Sequence, residues 1–394
     1  MKILMLAPEP YFQSRGTPIS VYFRLKALSS MGHNVDLLTY HLGEERIFRN
    51  VRILRIPDLF CIQNIKIGPS WTKIPLDLLM LFKSILQLMK KRYDLIFSHE
   101  EAAFFGVFLS KVWNIPHVYD MHSSLPQQLE NFNFSKSRLV KGLFRWIERF
   151  ILKNSHSIIV ICKDLFNQIK KEGYGKKGVL LENFLDFETP SLSEDEVMEK
   201  RKEFGSDQHK IVLYTGNFQS YQGIELLLDT VPKVNKKNVV FLLVGGDPSS
   251  VQRMKNKAKQ LGILDQVFFT GQVDPSEIPL YIKCADVLIS PRLSGTNTPL
   301  KIYSYLKSGK PLVATELWTH TQVLDERICI LVKPRPKDVA KGILMALFND
   351  QAKSRAEVAK KISNMNYTLL NYKQKMKDVL NKALRHKYRQ EGKP

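Results

Sequence analysis

Ile211-Val212-Leu213-Tyr214-Thr215-Gly216-Asn217-Phe218-Gln219-Ser220-Tyr221-Gln222-Gly223-Ile224 decides the fold class of this 394-residue chain. An apolar run of strand length, Ile211–Tyr214, ends in a glycine, and after a polar loop Gly223 opens an amphipathic helix over Ile224–Val234. That is the beginning of a βαβ unit, in which helices join parallel strands. The same grammar continues downstream. Strands are expected at Val239–Val244, Val267–Thr270, Val287–Ser290, Pro311–Thr315 and Ile328–Leu331. Helices are expected between them at Val251–Gln260, Glu277–Ala285 and Lys301–Ser308.

Upstream the pattern is repeated. Lys2–Ala7, Asn34–Thr39, Val51–Arg55, Leu95–Phe97, His117–Asp120 and Ser157–Ile161 read as strands. Pro18–Met31, Leu76–Lys91, Ala102–Trp113, Leu139–Asn154 and Lys163–Glu172 read as helices. The chain is therefore an α/β protein with two doubly wound, Rossmann-like parallel-sheet domains. Between them Leu185–Gln208 is rich in Glu, Asp, Ser and Pro. The expected organisation is a first domain over 1–184, a linker over 185–208 with an acidic helix near Glu194–Phe204, and a second domain over 209–365. Residues 366–394 form a basic helix and tail predicted to cross back to the first domain. Arg385–Pro394 offers no apolar face and is expected to fray.

Composition removes several classes. The 20 Gly and 19 Pro are ordinary usage, which excludes a collagen-like or low-complexity chain. The four cysteines, at 61, 162, 284 and 329, form no CxxC, so neither a zinc knuckle nor a disulfide framework is suggested. The longest apolar stretch, 76–86, contains Asp77 and Lys83 and falls short of the ~20 residues that span a bilayer. Met1–Ala7 is too short for a secretory signal and reads as a buried strand. The expectation is a cytosolic protein, peripheral on the inner face of the plasma membrane where it touches one. Only the charge is abnormal: +21 from 59 Lys and Arg against 38 Asp and Glu. Such an excess favours polyanions, whether phosphorylated substrates, an anionic membrane or nucleic acid.

In doubly wound folds ligands bind beyond the carboxyl ends of the strands, and two such domains facing across a cleft would each hold one. Gly16-Thr17-Pro18 opens a helix, where a glycine lets a ligand reach backbone N–H groups; an ordinary βα turn has the same pattern. Ser98-His99-Glu100-Glu101 and Asp120-Met121-His122-Ser123-Ser124 put imidazoles beside carboxylates after two strands. These suit a positioned donor or base, or merely hydrogen-bonded loop residues. In the second half Gly216, Gly223, Gly245, Gly271 and Gly295 follow successive strands. The loop Ser290-Pro291-Arg292-Leu293-Ser294-Gly295-Thr296-Asn297-Thr298-Pro299-Leu300-Lys301 brings hydroxyls, amides and two cations to a helix start, the ingredients of a phosphate site.

The order of these motifs resembles the GT-B glycosyltransferases, and within them glycosyltransferase family 4, also called group 1. The resemblance runs from Lys2 to about Leu384. It includes Gly32-His33-Asn34-Val35, Ile115-Pro116-His117-Val118-Tyr119-Asp120, Val244-Gly245-Gly246, Phe269-Thr270-Gly271, Ala285-Asp286-Val287-Leu288-Ile289-Ser290-Pro291 and Gly309-Lys310-Pro311-Leu312-Val313-Ala314-Thr315. It implies a retaining transfer of a sugar from a nucleotide-sugar donor, a UDP- or GDP-sugar, to a hydroxyl acceptor. The second domain would hold the donor and the first the acceptor, with no metal and no cofactor, since helix N-termini and cations stabilise the leaving diphosphate. By motif position Gly16 and Thr17 would approach the sugar-diphosphate, His122 would contact the transferred sugar, and Gly271–Val273, including Val273, would line the base. His99 and Glu101 fall on the acceptor side.

This sequence departs from the family pattern at four places. A usual Arg and Lys that grip the diphosphate are replaced by Asn217 and Gln222, and two usual glutamates eight residues apart by Thr296 and Ser304. Arg292 and Lys301 are expected to take over the phosphates. Ile65–Lys91 and Arg138–Lys153 interleave Lys and Arg with Trp, Phe and Leu. Such amphipathic basic stretches suit an anionic membrane interface and so a lipid-linked or glycan acceptor. Equally, their apolar faces can pack on the sheet, the preferred reading for Arg138–Lys153. Two alternatives remain open: a catalytically degenerate GT-B protein that binds a sugar nucleotide or partner, and an α/β nucleic-acid binder. No nucleic acid is expected, because no recognised motif accompanies the charge.

Overall fold

The computed structural model describes residues 1–13, 16–60, 62, 65, 70–131, 137–183, 192–205 and 208–390. The apolar runs form two sheets whose strands all pair in parallel. The first contains β1 (Lys2–Ala7), β2 (Asn34–Thr39), β3 (Val51–Arg55), β4 (Leu95–His99), β5 (His117–Met121), β6 (Ser157–Val160) and β7 (Gly178–Leu180), in the order β3-β2-β1-β4-β5-β6-β7. The second contains β8 (Lys210–Thr215), β9 (Val239–Val244), β10 (Val267–Gly271), β11 (Val287–Ser290), β12 (Leu312–Thr315) and β13 (Ile330–Val332), in the order β10-β9-β8-β11-β12-β13. Each sheet grows outward from its first strand and then recrosses it, which makes a switch point between β1 and β4 and another between β8 and β11.

Both faces of each sheet are covered. On β8, Val212 and Tyr214 enter one apolar cluster while Ile211 and Leu213 enter another, the period-2 alternation of a strand buried on both sides. The first unit divides its core in the same way between the clusters around Leu4, Leu76 and Met80 and around Tyr119, Ile151 and Ile158.

Met1–Asn183 and Leu369–Pro394 form one compact unit, and Phe184–Thr368 the other. The helix Leu369–Gln390 packs on β5, β6, β7 and the helix Gly16–Ser30 of the first unit. It runs through Gln390 instead of fraying at Arg385, because Arg, Lys and Gln are good helix formers that need no tertiary face to continue a helix. The acidic helix, Glu194–Lys202, begins on a capping box between Ser193 and Glu196. It is tied into the second unit by Arg201, which donates to Asp286 at 3.2 Å.

The helix Lys73–Lys90 carries two apolar stripes. Leu76, Met80 and Leu88 are buried at helical spacing, while Ile74, Leu78, Phe82, Leu86 and Met89 are exposed on the other side. In the helix Arg138–Asn154, Ile151 and Leu152 are buried but Leu139, Leu143 and Trp146 are exposed. Packing on the sheet thus accounts for only the carboxyl half of that helix. No described helix is long and apolar enough to cross a membrane.

Candidate functional site

The crevice at the first switch point is lined from β4 and β5, whose register sets His99 beside Asp120. Arg24 reaches them from the helix Gly16–Ser30: Nε donates to Asp120 Oδ2 at 2.8 Å and Nη2 to Oδ1 at 3.3 Å. His122 Nε2 lies 3.2 Å from Oδ1, and His99 Nδ1 lies 3.4 Å from Oδ2. Burial alone would raise the Asp120 carboxyl, but Arg24 and the two imidazoles hold it far below the usual carboxylate range. Burial pushes His99 down to about 3, so its ring is neutral. Tyr372, on the helix Leu369–Gln390, bonds Arg24 through its hydroxyl and sets its ring 5.3 Å from the guanidinium.

This arrangement orients His122, which is 4% exposed, with a carboxylate behind it. His99, expected on the acceptor side, is at 0% and lies behind His122, whose Nε2 is 3.4 Å from its Nδ1. Glu101 keeps an accessible carboxylate and accepts from Lys73 Nζ at 2.8 Å. Next to it, Glu100 has a backbone φ of +46°, and burial together with Glu101 raises its carboxyl to about 8. Ser123 donates to it at 3.2 Å and Gln128 at 2.8 Å. Gly16 and Thr17 are the first two residues of their helix, with Gly16 exposed; the Ser14-Arg15 part of that loop lies outside the described residues. His99, Asp120 and His122 also present ligand atoms within 4.8 Å of one another. A divalent ion held there would share Asp120 with a buried guanidinium, so the donor set fits the ion pair better than a metal.

The second unit gathers its residues at the β8/β11 switch point. Gly216 N donates to Val244 O at 2.9 Å and Gly245 N to Gly271 O at 2.8 Å, which places three of the glycines along one sheet edge. At Gly223 (φ +76°) a Cβ would lie 1.9 Å from Pro291 O, so the helix Ile224–Val234 can start against the β11 loop only on a glycine. Gly295 packs on the Arg292 guanidinium within that loop. Arg292 donates to the carbonyls of Ser294 at 2.8 Å and Asn297 at 3.1 Å and lies 5.0 Å from the Tyr221 ring centre. Val273 packs partly into the apolar cluster beside β10.

Lys301, at the start of the helix Lys301–Ser308, is different in kind. Its ammonium is buried with no hydrogen-bond partner among the described residues, 3.6 Å from the Tyr214 ring centre. A Cβ at Gly216 would come within 3.0 Å of it. Burial and, after it, Arg292 push this amine well below its usual range. Gln222 is also buried with Oε1 unpartnered, whereas Asn217 is exposed. Thr296 and Ser304 are half-buried, Thr296 accepting through its carbonyl from Gln322. The edge therefore offers amide N–H groups, a helix start and a cation short of acceptors, which is a receptor for an oxyanion.

Sequence reading passed over Arg24 and Tyr372. Arg24 had a usable signal: it sits in step with Ser20 and Leu28 on an otherwise buried helix face, where a charge needs a partner. Tyr372 had none, since 348 residues separate it from Arg24.

Residues 15–189 match the family model described as Glycosyltransferase Family 4, and residues 196–365 the one described as Glycosyl transferases group 1. The alpha-monoglucosyldiacylglycerol synthase of Streptococcus pneumoniae is 25% identical over 322 residues, 78% of this chain and 70% of that protein. The phosphatidyl-myo-inositol mannosyltransferase of Mycobacterium tuberculosis is 24% identical over 90% of both chains. The crystal structure of Anabaena HepE in complex with UDP and glucose superposes with a TM-score of 0.76 at 17% identity, covering 97% of this chain and 99% of that one.

Proposed function

We propose, from the premise that the chain is a GT-B-fold glycosyltransferase resembling family 4, group 1, that it is a retaining, metal-independent enzyme acting on a lipid-linked or glycan-precursor acceptor at the cytosolic face of a membrane. The activity is transfer of a sugar from a nucleotide-sugar donor. What carries the donor assignment is the buried Lys301 ammonium, without a hydrogen-bond partner beside Gly216. A diphosphate seated there would supply the missing acceptors, and the helix start would add N–H groups. Lys301, helped by Arg292, would stabilise the charge that develops on the leaving diphosphate, the work a divalent ion does elsewhere. His122, aligned by Asp120, would contact the transferred sugar, with Gly16 and Thr17 at its diphosphate.

The UDP in the HepE complex supports a uridine nucleotide as the first donor to try. The diacylglycerol and phosphatidylinositol in the names of the two relatives support a lipid acceptor. So do the exposed apolar side chains of the helix Lys73–Lys90. A degenerate binding protein is the competing reading, favoured by neutral Asn217, Gln222, Thr296 and Ser304. The test is a thermal-shift panel of UDP-, GDP-, ADP- and CMP-sugars, followed by incubation of the stabilising donor with bacterial lipid extract and NMR of the product anomer. Stabilisation by one nucleotide class and a product with the donor's anomeric configuration are expected. Stabilisation without transfer to any extract would favour the degenerate reading, and inverted product would overturn the retaining one.

A further inference from the structure

The helix Lys73–Lys90 ends in a recess that plays no part in the site described above. Its volume is about 800 Å³, and its cations are Lys2, Arg49, Arg52, Lys90, Lys91 and Arg92. It lies at the amino ends of the first sheet: Lys2 begins β1, Asn34 begins β2, Val51 begins β3, and Tyr93 directly precedes the approach to β4. The carboxyl-end crevice with His122 is on the opposite edge of the same strands. The helix alone, 18 residues long, spans roughly 27 Å between the two ends.

The charges in the recess are not balanced internally. Among the described residues Asp36 is its one lining carboxylate. It is taken by Arg52, through Nε at 3.0 Å and Nη2 at 2.8 Å, and by Lys91 at 3.3 Å. Lys2, Arg49, Lys90 and Arg92 are exposed and form no ion pair among the described residues. Lys90 and Lys91 suit a helix carboxyl terminus, whose partial negative charge attracts cations. Arg92 follows directly on the same helix end, but that explanation does not extend to Lys2 and Arg49, which come from two other segments. The exposed apolar side chains of this helix, with Phe82 at 60% and Met89 at 72%, continue to Met89, the residue before the recess-lining Lys90. A free phosphate or a nucleic acid would use the cations and leave that stripe in water. A phospholipid uses both, with its phosphate in the recess and its acyl layer against the stripe.

We infer that this recess binds the phosphate headgroup of an anionic phospholipid and anchors the first unit on the membrane at a point separate from the acceptor crevice. The inference rests on the membrane-face reading of the previous section. The probe is vesicles of phosphatidylglycerol and phosphatidylcholine, against phosphatidylcholine alone, in co-sedimentation with the full chain. Arg49→Gln, Lys90→Gln and Arg92→Gln together should weaken binding to the anionic vesicles on the order of a hundredfold, at roughly fivefold per cation near such a surface. The control removes the same charge elsewhere: Lys236→Gln, Lys237→Gln and Lys259→Gln, all exposed in the second unit, should change binding no more than a few-fold. The variant Arg49→Lys with Arg92→Lys, keeping Lys90, should bind as the parent does and shows that the positions tolerate substitution.

Equal losses in the recess and control variants would overturn the recess while leaving membrane attachment by net charge intact. Wild-type binding no tighter to anionic than to neutral vesicles would overturn both readings. If the recess variant instead loses affinity for an RNA oligonucleotide and keeps its affinity for vesicles, the recess is a nucleic-acid site and the inference is wrong.

Discussion

In the first unit Arg24 meets Asp120, two imidazoles and the Tyr372 hydroxyl, all buried; in the second, Lys301 meets the face of Tyr214 and no hydrogen-bond acceptor. Both clusters occupy the carboxyl edge of a parallel sheet at its switch point. In the first the guanidinium and the carboxylate satisfy each other, although His99 Nε2 is left without a partner among the described residues. The second leaves its cation short of acceptors among the described residues, which is what supports the proposed seat for an anion. A buried cation that is satisfied reports geometry, whereas one left short of partners reports a ligand.

That contrast fails if the first cluster tolerates disruption. Arg24→Met strands a buried carboxylate and should cost about 3–5 kcal/mol in urea unfolding, with Asp120→Asn losing a similar amount. A loss below 1 kcal/mol from either would show that the pair is not closed as described. Glu100 is one exception within the first unit, an acid that burial and the neighbouring Glu101 raise to about 8. Because its folded value lies above the ordinary 4.5, folding is favoured below pH 4.5 and loses stability as pH rises toward 8. Glu100→Gln should therefore melt higher than the parent, by an amount that grows from pH 5 to pH 8 to on the order of 3 kcal/mol. A constant difference across that range would mean that the carboxyl titrates normally.

Lys301→Met sharpens the comparison, because stability and binding should move in opposite directions. The variant sheds an unpartnered buried amine and should unfold at the same or a higher urea concentration. Its affinity for the nucleotide-sugar should fall by about 1.5–3 kcal/mol, roughly 10- to 150-fold by titration calorimetry. Parallel losses of stability and affinity would make Lys301 a structural residue. The smallest effect is reserved for Tyr372→Phe, which keeps the ring over Arg24 and removes one bond to its charge, at about 1.5 kcal/mol. It should lower kcat with KM for donor unchanged, since the Tyr372 hydroxyl acts on His122 only through Arg24 and Asp120.

The sheets were legible because their strands are apolar on both faces and bounded by glycine or polar loops: Ile211–Tyr214 extends by one residue at each end to Lys210–Thr215. β7 was missed, being three residues that begin with Gly178, and so was the helix Leu125–Asn131, too short to show a period. Pro336–Phe348 and Asp350–Asn366 are helices that were left unassigned despite long runs of helix-forming residues. In the site, Lys301 could be singled out by its place before a helix, a local property. The closed state of His99 could not, because it depends on Arg24 arriving from another element and on the packing of β4 against β5.

The return of the helix Leu369–Gln390 to the first unit has a consequence in time. A chain grows at about 5–20 residues per second, so roughly 20–70 s pass between the synthesis of Arg24 and that of Tyr372, 348 residues later. The second unit is one continuous stretch, Phe184–Thr368, and is made whole within that interval. The first unit begins first and is finished last: throughout its neighbour's synthesis the flank of β5 to β7 that this helix covers is bare. The nascent protein thus carries its unfinished apolar surface on the half that was translated earliest, and that is the surface a chaperone would have to shield.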